Sequence, residues 1–146
     1  MKDVHVVVGV LAIALNTVAA LFGGWCWWRA EPSRWFWRVL RAAQVMVVVE
    51  VALGGVLRLT GHKTPGIHVL YGVLPLVVSI LAEQLRAVSA QMVLDSRGFE
   101  STEEVGELPA EEQRGLVTAI LQREIGVMAL AAAVVVVLLA RAAATA

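Results

Sequence analysis

Four long runs of apolar residues, separated by short polar stretches, dominate the sequence. They cover about residues 4–28, 39–59, 67–85 and 125–143. Each is close to the roughly 20 residues that an α-helix needs to cross about 30 Å of hydrocarbon. None alternates apolar and polar residues as a membrane-spanning β-strand would. Because backbone polar groups find no water in lipid, these runs are predicted to be transmembrane helices.

Composition supports lipid as the solvent for much of this surface. The 146 residues are 59% hydrophobic and 16% charged, whereas soluble domains average about 45–50% apolar and about 25% charged residues. A chain of this size buries only about 70% of its surface, so the excess cannot lie inside a globule. We predict an all-α integral membrane protein, a four-helix bundle embedded in the lipid bilayer. The lone Cys26 excludes an intrachain disulfide and is interpreted as an inert thiol.

The lysines and arginines predict an orientation. Four of the 12 lie beside the termini and the second loop, and eight lie in or beside the first and third loops. The positive-inside rule then places both termini outside the plasma membrane. The first run is too long for a cleaved signal and ends in a tryptophan cluster, which indicates a retained helix.

The third loop, residues 86–124, is the main aqueous segment. It is rich in carboxylates, and Pro109 followed by Glu111 and Glu112 fits the start of a helix. The third and fourth transmembrane helices are therefore predicted to extend into the cytoplasm as an acidic hairpin. This segment is either a solvated tip or a docking surface for a soluble partner. The net charge of zero gives no reason to expect nucleic acid as a partner.

Polar residues inside the predicted spans are the strongest functional pointers, since a charge there costs at least about 2.5 kcal/mol. Glu50 lies eight residues before Arg58, roughly 12 Å deeper in the membrane. Asn16 on the first helix is expected at a similar depth. Glu50 is predicted to face the bundle, either hydrogen-bonded to Asn16 or as a carboxyl that handles protons or binds a ligand.

A second group of polar residues lies nearer the outer face. In a hairpin that turns near Lys63, Arg58 is level with His68 on the next helix. His5, at the start of the first helix, is close to the same level. Tyr71 lies just below His68, at neighbouring helical spacing. These residues are predicted to line the mouth of a site above Glu50.

Residues 54–72 resemble a helix hairpin of the heme A synthase family. Residues 54–60, Gly-Gly-Val-Leu-Arg-Leu-Thr, are similar to the family's G-G-x-x-R-L-T helix end. Residues 68–72, His-Val-Leu-Tyr-Gly, are similar to its H-R-x-x-G helix start. The resemblance implies a four-helix unit that holds heme near the outer face, with His68 as an axial ligand and Arg58 beside a propionate. The second ligand would be His5, His62 or a residue of another chain.

This sequence also departs from the family. Pro65 stands where an acidic residue is expected, three positions before the histidine, and Val69 stands where arginine follows it. The family's catalytic carboxyl is thus missing. Heme A synthase activity is therefore not expected, and the resemblance implies at most a related hairpin.

Three functions remain open from the sequence. The first is a non-catalytic accessory or assembly subunit of a membrane complex, respiratory or transport, which is favoured by the small size and the lack of a complete catalytic set. The second is a protein that holds a b-type heme or a quinone through His68, His5, Arg58 and Tyr71. A quinone requires hydrogen-bond donors beside an apolar slot. The third is a small proton-linked transporter or channel built on Glu50. Neighbouring subunits or a second copy of the chain are possible partners for all three.

Overall fold

The structure, a computed structural model, describes residues 1–99 and 102–145, without the side chains of residues 102 and 103. Its helices are α1 (Lys2–Arg29), α2 (Arg34–Leu59), α3 (Gly66–Ser96), the short α4 (Thr102–Gly106) and α5 (Ala110–Ala144). The described residues form no β-strand. Four of the helices are long and apolar enough to cross a membrane. The predicted all-α class is therefore confirmed.

Local sequence explains the two tight turns that join the first three helices. After α1, Ala30 adopts a left-handed conformation with φ of 52°, and its N–H bonds back to the carbonyls of the last turn. The Ser33 hydroxyl then accepts the N–H of Trp35 at 3.3 Å and caps α2. After α2, Gly61 has φ of 93°, a conformation that glycine adopts without strain. Consecutive helices are therefore antiparallel.

The four long helices form a ring. α1 packs against α2 and α5, and α3 packs against α5 and, least extensively, against α2. α1 and α3 are therefore diagonal to each other. The tight α1–α2 turn sets the register in which α1 meets α2, and this register determines which polar residues face one another.

Apolar layers divide the bundle into two ends. We call the end around Trp27, Phe36 and Ile125 the tryptophan end, and the end around His5, Leu57 and His68 the histidine end. The main core lies at the tryptophan end, where Phe36 and Ile125 are fully buried and the free thiol of Cys26 lies beside them. A second layer, which we call the apolar layer, lies between the two ends and consists of Ala12, Val47, Val135 and Leu139.

Helix bounds differ from the predicted spans because helices continue where polar side chains can stay exposed. α2 begins at Arg34 rather than near residue 39, whereas α5 begins at Ala110, directly after Pro109, where a helix start was expected. α3 and α5, with 31 and 35 residues, are longer than the roughly 20 residues that a span requires. Beyond the bundle, Val93 and Leu94 of α3 pack on Leu116 of α5. Residues 100 and 101 of the acidic segment lie outside the described residues.

Candidate functional site

Two glycines bring His5 and Glu50 into contact between α1 and α2. Each helix carries its polar residue four positions before a glycine: His5 before Gly9, and Glu50 before Gly54. A Cβ added to Gly9 would lie 2.8 Å from Glu50 Oε1, and one added to Gly54 would lie 3.4 Å from His5 Cε1. Each glycine therefore leaves the space that the polar side chain of the other helix occupies.

The contact between His5 and Glu50 leaves polar atoms unsatisfied. Nδ1 of His5 lies 3.2 Å from Oε1 of Glu50, and the two side chains are 18% and 13% exposed. This distance suits an ion pair, but the contact does not meet hydrogen-bond geometry. Nδ1 of His5 and Oε2 of Glu50 are therefore both buried without a hydrogen-bond partner. Because buried polar atoms in native proteins are nearly always satisfied, such atoms indicate a place that a ligand, ion or water completes.

His68 faces the same space from α3, the helix diagonal to α1. Its ring centroid lies 6.2 Å from that of His5, and the ring planes meet at 72°. Its Nδ1 lies 2.9 Å from the carbonyl oxygen of Ala142 on α5. A carbonyl only accepts, so Nδ1 of His68 carries the proton and Nε2 is the nitrogen free to bind. At His5, Nδ1 lies 3.2 Å from Glu50 Oε1 but outside hydrogen-bond geometry, and a small side-chain rotation that formed this bond would leave Nε2 free.

This pair of histidines fits a metal held between two imidazoles. An imidazole nitrogen binds a metal at about 2 Å, so two histidines that would hold one metal must have their ring centroids close together. The observed separation is 6.2 Å. Ligating histidines also donate their second N–H to a carboxylate or a backbone carbonyl. Glu50 and the Ala142 carbonyl are placed for these two roles.

A bare metal ion fits the histidine end less well. No group of three or more His, Cys, Asp or Glu side chains is arranged to hold a metal ion within residues 1–99 and 102–145. Heme iron, in contrast, takes four nitrogens from its porphyrin and needs only axial ligands from the protein. The histidine end offers two imidazoles, the ligand type that heme iron takes from a protein.

Other predicted site residues lie around this cluster. Tyr71 is half-buried, and the guanidinium carbon of Arg141 lies 5.6 Å from its ring centroid. Arg58 is exposed and has no ion-pair partner within the described part of the chain. His62 and Lys63 in the following loop are also exposed. The rim of the histidine end is thus basic.

The predicted hydrogen bond between Asn16 and Glu50 is wrong. Asn16 is 2% exposed, and its Nδ2 donates to the carbonyl of Ala12 in its own helix at 2.8 Å. The prediction measured depth from the outer loops, whereas the tight α1–α2 turn sets the actual register. That register pairs Glu50 with Gly9 and places Asn16 beside Gln44.

Depth along the helices predicted His5 and His68 at one mouth, and the sequence holds a further signal for their convergence that this prediction did not use. The pattern His-x-x-x-Gly occurs at the start of α1, as His5 to Gly9, and again at the start of α3, as His68 to Gly72. Both helices run in the same direction from the same end of the bundle. A Cβ added to Gly72 would meet nothing within 4 Å. The repeated pattern therefore places both histidines near the same end of the bundle, but only Gly9 makes room for a neighbouring polar side chain.

A polar network at the tryptophan end was also missed. Glu83 of α3 accepts from Gln44 of α2 at 2.9 Å and from Arg86 of its own helix at 3.0 Å. Arg41 of α2 contacts the same carboxylate, and Arg86 reaches Glu124 of α5 at 3.4 Å. Two arginines thus balance two glutamates across three helices. The spacing of Glu83 and Arg86, three residues apart, was the available sequence signal.

Comparisons with known proteins do not add a relative to this picture. No family model, curated protein or solved structure matches the chain. The function therefore has to be argued from the geometry of the histidine end.

Proposed function

We propose that the protein is a multi-pass protein of the plasma membrane whose histidine end faces outward. The excess of basic residues beside the first and third loops supports this orientation through the positive-inside rule. Both termini then lie outside, and α3 and α5 extend into the cytoplasm. The exposed tryptophans Trp25, Trp28 and Trp35 suit the inner headgroup level.

The orientation has a direct test that uses the single native cysteine. In a Cys26→Ser background, a cysteine is introduced either at Lys63 or at Glu107, both of which are exposed. A membrane-impermeant maleimide applied to intact cells is expected to label the first variant, and the second only after lysis. The reverse pattern would overturn the orientation.

Within this arrangement, the protein binds a b-type heme between His5 and His68. The observation that carries this proposal is the pair of histidines on diagonal helices, with ring centroids 6.2 Å apart, Nδ1 of His68 hydrogen-bonded to the Ala142 carbonyl and Nδ1 of His5 close to Glu50. Glu50 and the Ala142 carbonyl would orient the two rings and leave Nε2 of each toward the iron. Heme supplies one-electron transfer at such a site. The basic rim, with Arg58 and Arg141, is complementary to the carboxylates of heme.

The test is spectroscopic. Protein expressed with a heme supply and purified in detergent is expected to show the absorption spectrum of a six-coordinate, low-spin b-type heme. His5→Ala and His68→Ala should each lose that spectrum. His62→Ala is the matched control, because His62 is exposed in the α2–α3 loop and should keep it. Colourless wild-type protein despite the heme supply would refute heme binding.

A quinone is the alternative ligand for the same residues. A colourless protein that binds a quinone analogue, and loses binding in His68→Ala but not in His62→Ala, would replace heme with a quinone. The transporter function has less support, because the apolar layer lies between Glu50 and the polar network around Glu83.

The accessory-subunit function stays a prediction, and it is compatible with cofactor binding. Its specific support is the exposed acidic surface formed by Glu107, Glu111 and Glu112 before and within the first turn of α5. Cross-linking in intact membranes tests it, with the triple change of these residues to glutamine as the variant. A partner that is captured by the wild type and lost in the triple variant is the expected result, and equal capture by both would contradict docking at this surface.

A further inference from the structure

A small cavity with a mostly apolar lining lies among the four long helices, between the apolar layer and the Glu83 network. Its volume is about 10 Å³, and its polar lining comes from three helices: Asn16 of α1, Gln44 of α2 and Ser79 of α3. The rest of the lining is apolar, with Met128 and Val135 contributed by α5. A cavity of about 10–15 Å³ on this measure holds one water, provided that it offers two to four polar partners. This cavity meets both conditions.

The three polar side chains each have one hydrogen-bonding group to spare. Asn16 donates from Nδ2 to Ala12, and its Oδ1 accepts from no described residue. Ser79 donates its hydroxyl proton to the carbonyl of Pro75 at 2.8 Å, which leaves its oxygen as an acceptor. The amide nitrogen of Gln44 gives one proton to Glu83 and retains another. Two acceptors and one donor therefore converge on the cavity.

We infer that this cavity binds a single water molecule, which donates to Asn16 and Ser79 and accepts from Gln44. Each hydrogen bond that the water makes contributes about 0.5–1.5 kcal/mol, which favours occupancy. A cation is disfavoured, because the carbonyl oxygen of Gln44 already accepts from the guanidinium of Arg41 at 2.6 Å. The positive charge of Arg41 therefore lies beside the place that the cation would take.

The water gives Asn16 a structural role separate from the histidine end. It connects α1 to Gln44, and Gln44 is bonded to the network that joins α2, α3 and α5. All four long helices are then linked at one level. This link matters most for α2 and α3, because their packing against each other is the least extensive in the ring.

A pair of variants on α1 isolates the role of the water in stability. Asn16→Val removes the polar partner, and Thr17→Val is the control, because Thr17 also donates to its own helix, at 2.8 Å to Ile13, but does not line the cavity. Purified Asn16→Val is expected to melt roughly 3–6 °C below wild type. Thr17→Val should melt within about 2 °C of it. Equal shifts for the two variants would overturn the inference.

A double-mutant cycle tests the bridge itself. Asn16 and Ser79 share no direct hydrogen bond, so coupling between them is expected if one water binds to both side chains. The shift of the double variant, Asn16→Val with Ser79→Ala, should fall clearly short of the sum of the single shifts. Additive shifts would contradict a shared water. If Asn16→Val does not fold, Asn16→Ala with Ser79→Ala also removes the polar partner and gives the same comparison.

Occupancy is measured in proteoliposomes by magnetisation transfer from water to protein in solid-state NMR. Transfer to the side-chain amide of Asn16 is expected, with loss of the signal from Ser79 in Asn16→Val. A folded wild-type protein without transfer would show a dry cavity and overturn the inference. A melting temperature that rises with sodium but not with choline would also overturn the inference, because the cavity would then bind a cation.

Discussion

At the tryptophan end, Phe36, Ile125 and Met128 are at most 1% exposed and belong to a core with residues from all four long helices. At the histidine end, α1 buries no side chain before Ala12, and α3 buries none before Pro75. The glycines differ in the same way. Gly23 brings α1 against an aromatic ring and an alanine, whereas Gly9 and Gly54 make room for polar groups. The tryptophan end therefore contributes most of the packing that stabilises the bundle. The histidine end is packed less tightly and contains polar atoms without hydrogen-bond partners.

The contrast between the two ends predicts that the addition of one methyl group lowers the stability most at the tryptophan end. In Gly23→Ala, the new Cβ would overlap the ring of Phe36 and approach Cβ of Ala129 at 2.8 Å. Neither neighbour can move away within the packed core, so the free energy of unfolding should fall by about 3 kcal/mol. Reversible unfolding in detergent measures the change.

The adjacent glycine provides the control. A Cβ added to Gly24 would meet nothing within 4 Å. Gly24→Ala should therefore stabilise the helix by about 0.5–1 kcal/mol. If Gly23→Ala and Gly24→Ala lose stability to the same extent, the loss comes from replacing a glycine in this turn of α1 and not from the packing at the tryptophan end.

The second prediction concerns the polar network at the same end. Glu83→Gln keeps the side-chain shape but removes the charge between Arg41 and Arg86. Glu83 is 27% exposed, so solvent screens the network in part and the loss of stability should be about 1–2 kcal/mol. The control is Glu31→Gln, which removes a pair whose side chains are 50% and 69% exposed. It should leave the melting temperature unchanged, and a comparable loss there would indicate a nonspecific charge effect.

The sequence predicted these two ends unequally. Four apolar runs specify four helices because lipid allows few alternatives to helices. Depth along a helix also placed His5, Arg58 and His68 at one end. Which side chains face one another depends on the order of the helices around the bundle and on their register. Apolar runs of similar composition specify neither of these. That is why His5 was not predicted to meet Glu50, and why Asn16 was matched to the wrong partner.

The third prediction uses a glycine of the histidine end. In Gly9→Ala, the new Cβ would lie 2.8 Å from Glu50 Oε1. That atom is at the tip of a flexible side chain, so the carboxylate should move away from His5 with a loss of stability below about 1 kcal/mol. Under the proposed function, heme affinity should fall by about tenfold or more, because an outer-shell partner of a ligand is displaced. Heme titration and unfolding measure the two effects separately.

The matched control for this variant is Gly55→Ala. A Cβ added to Gly55 would meet nothing within 4 Å, so heme affinity should not change. A large loss of stability in Gly9→Ala would instead mean that the histidine end is packed as rigidly as the tryptophan end. The contrast between the two ends would then be wrong.

The smallest expected effect lies at the rim of the histidine end, where the guanidinium carbon of Arg141 lies 5.6 Å from the ring centroid of Tyr71. Arg141→Gln should lower the free energy of unfolding by only about 0.5–1 kcal/mol, since the arginine is exposed and a cation–π contact at an exposed site is weak. Tyr71→Phe is the control, because it keeps an aromatic face under the arginine and should change stability less. The double variant, Arg141→Gln with Tyr71→Leu, should lose less than the sum of its single changes, whereas additivity would show that the two side chains are close but not coupled.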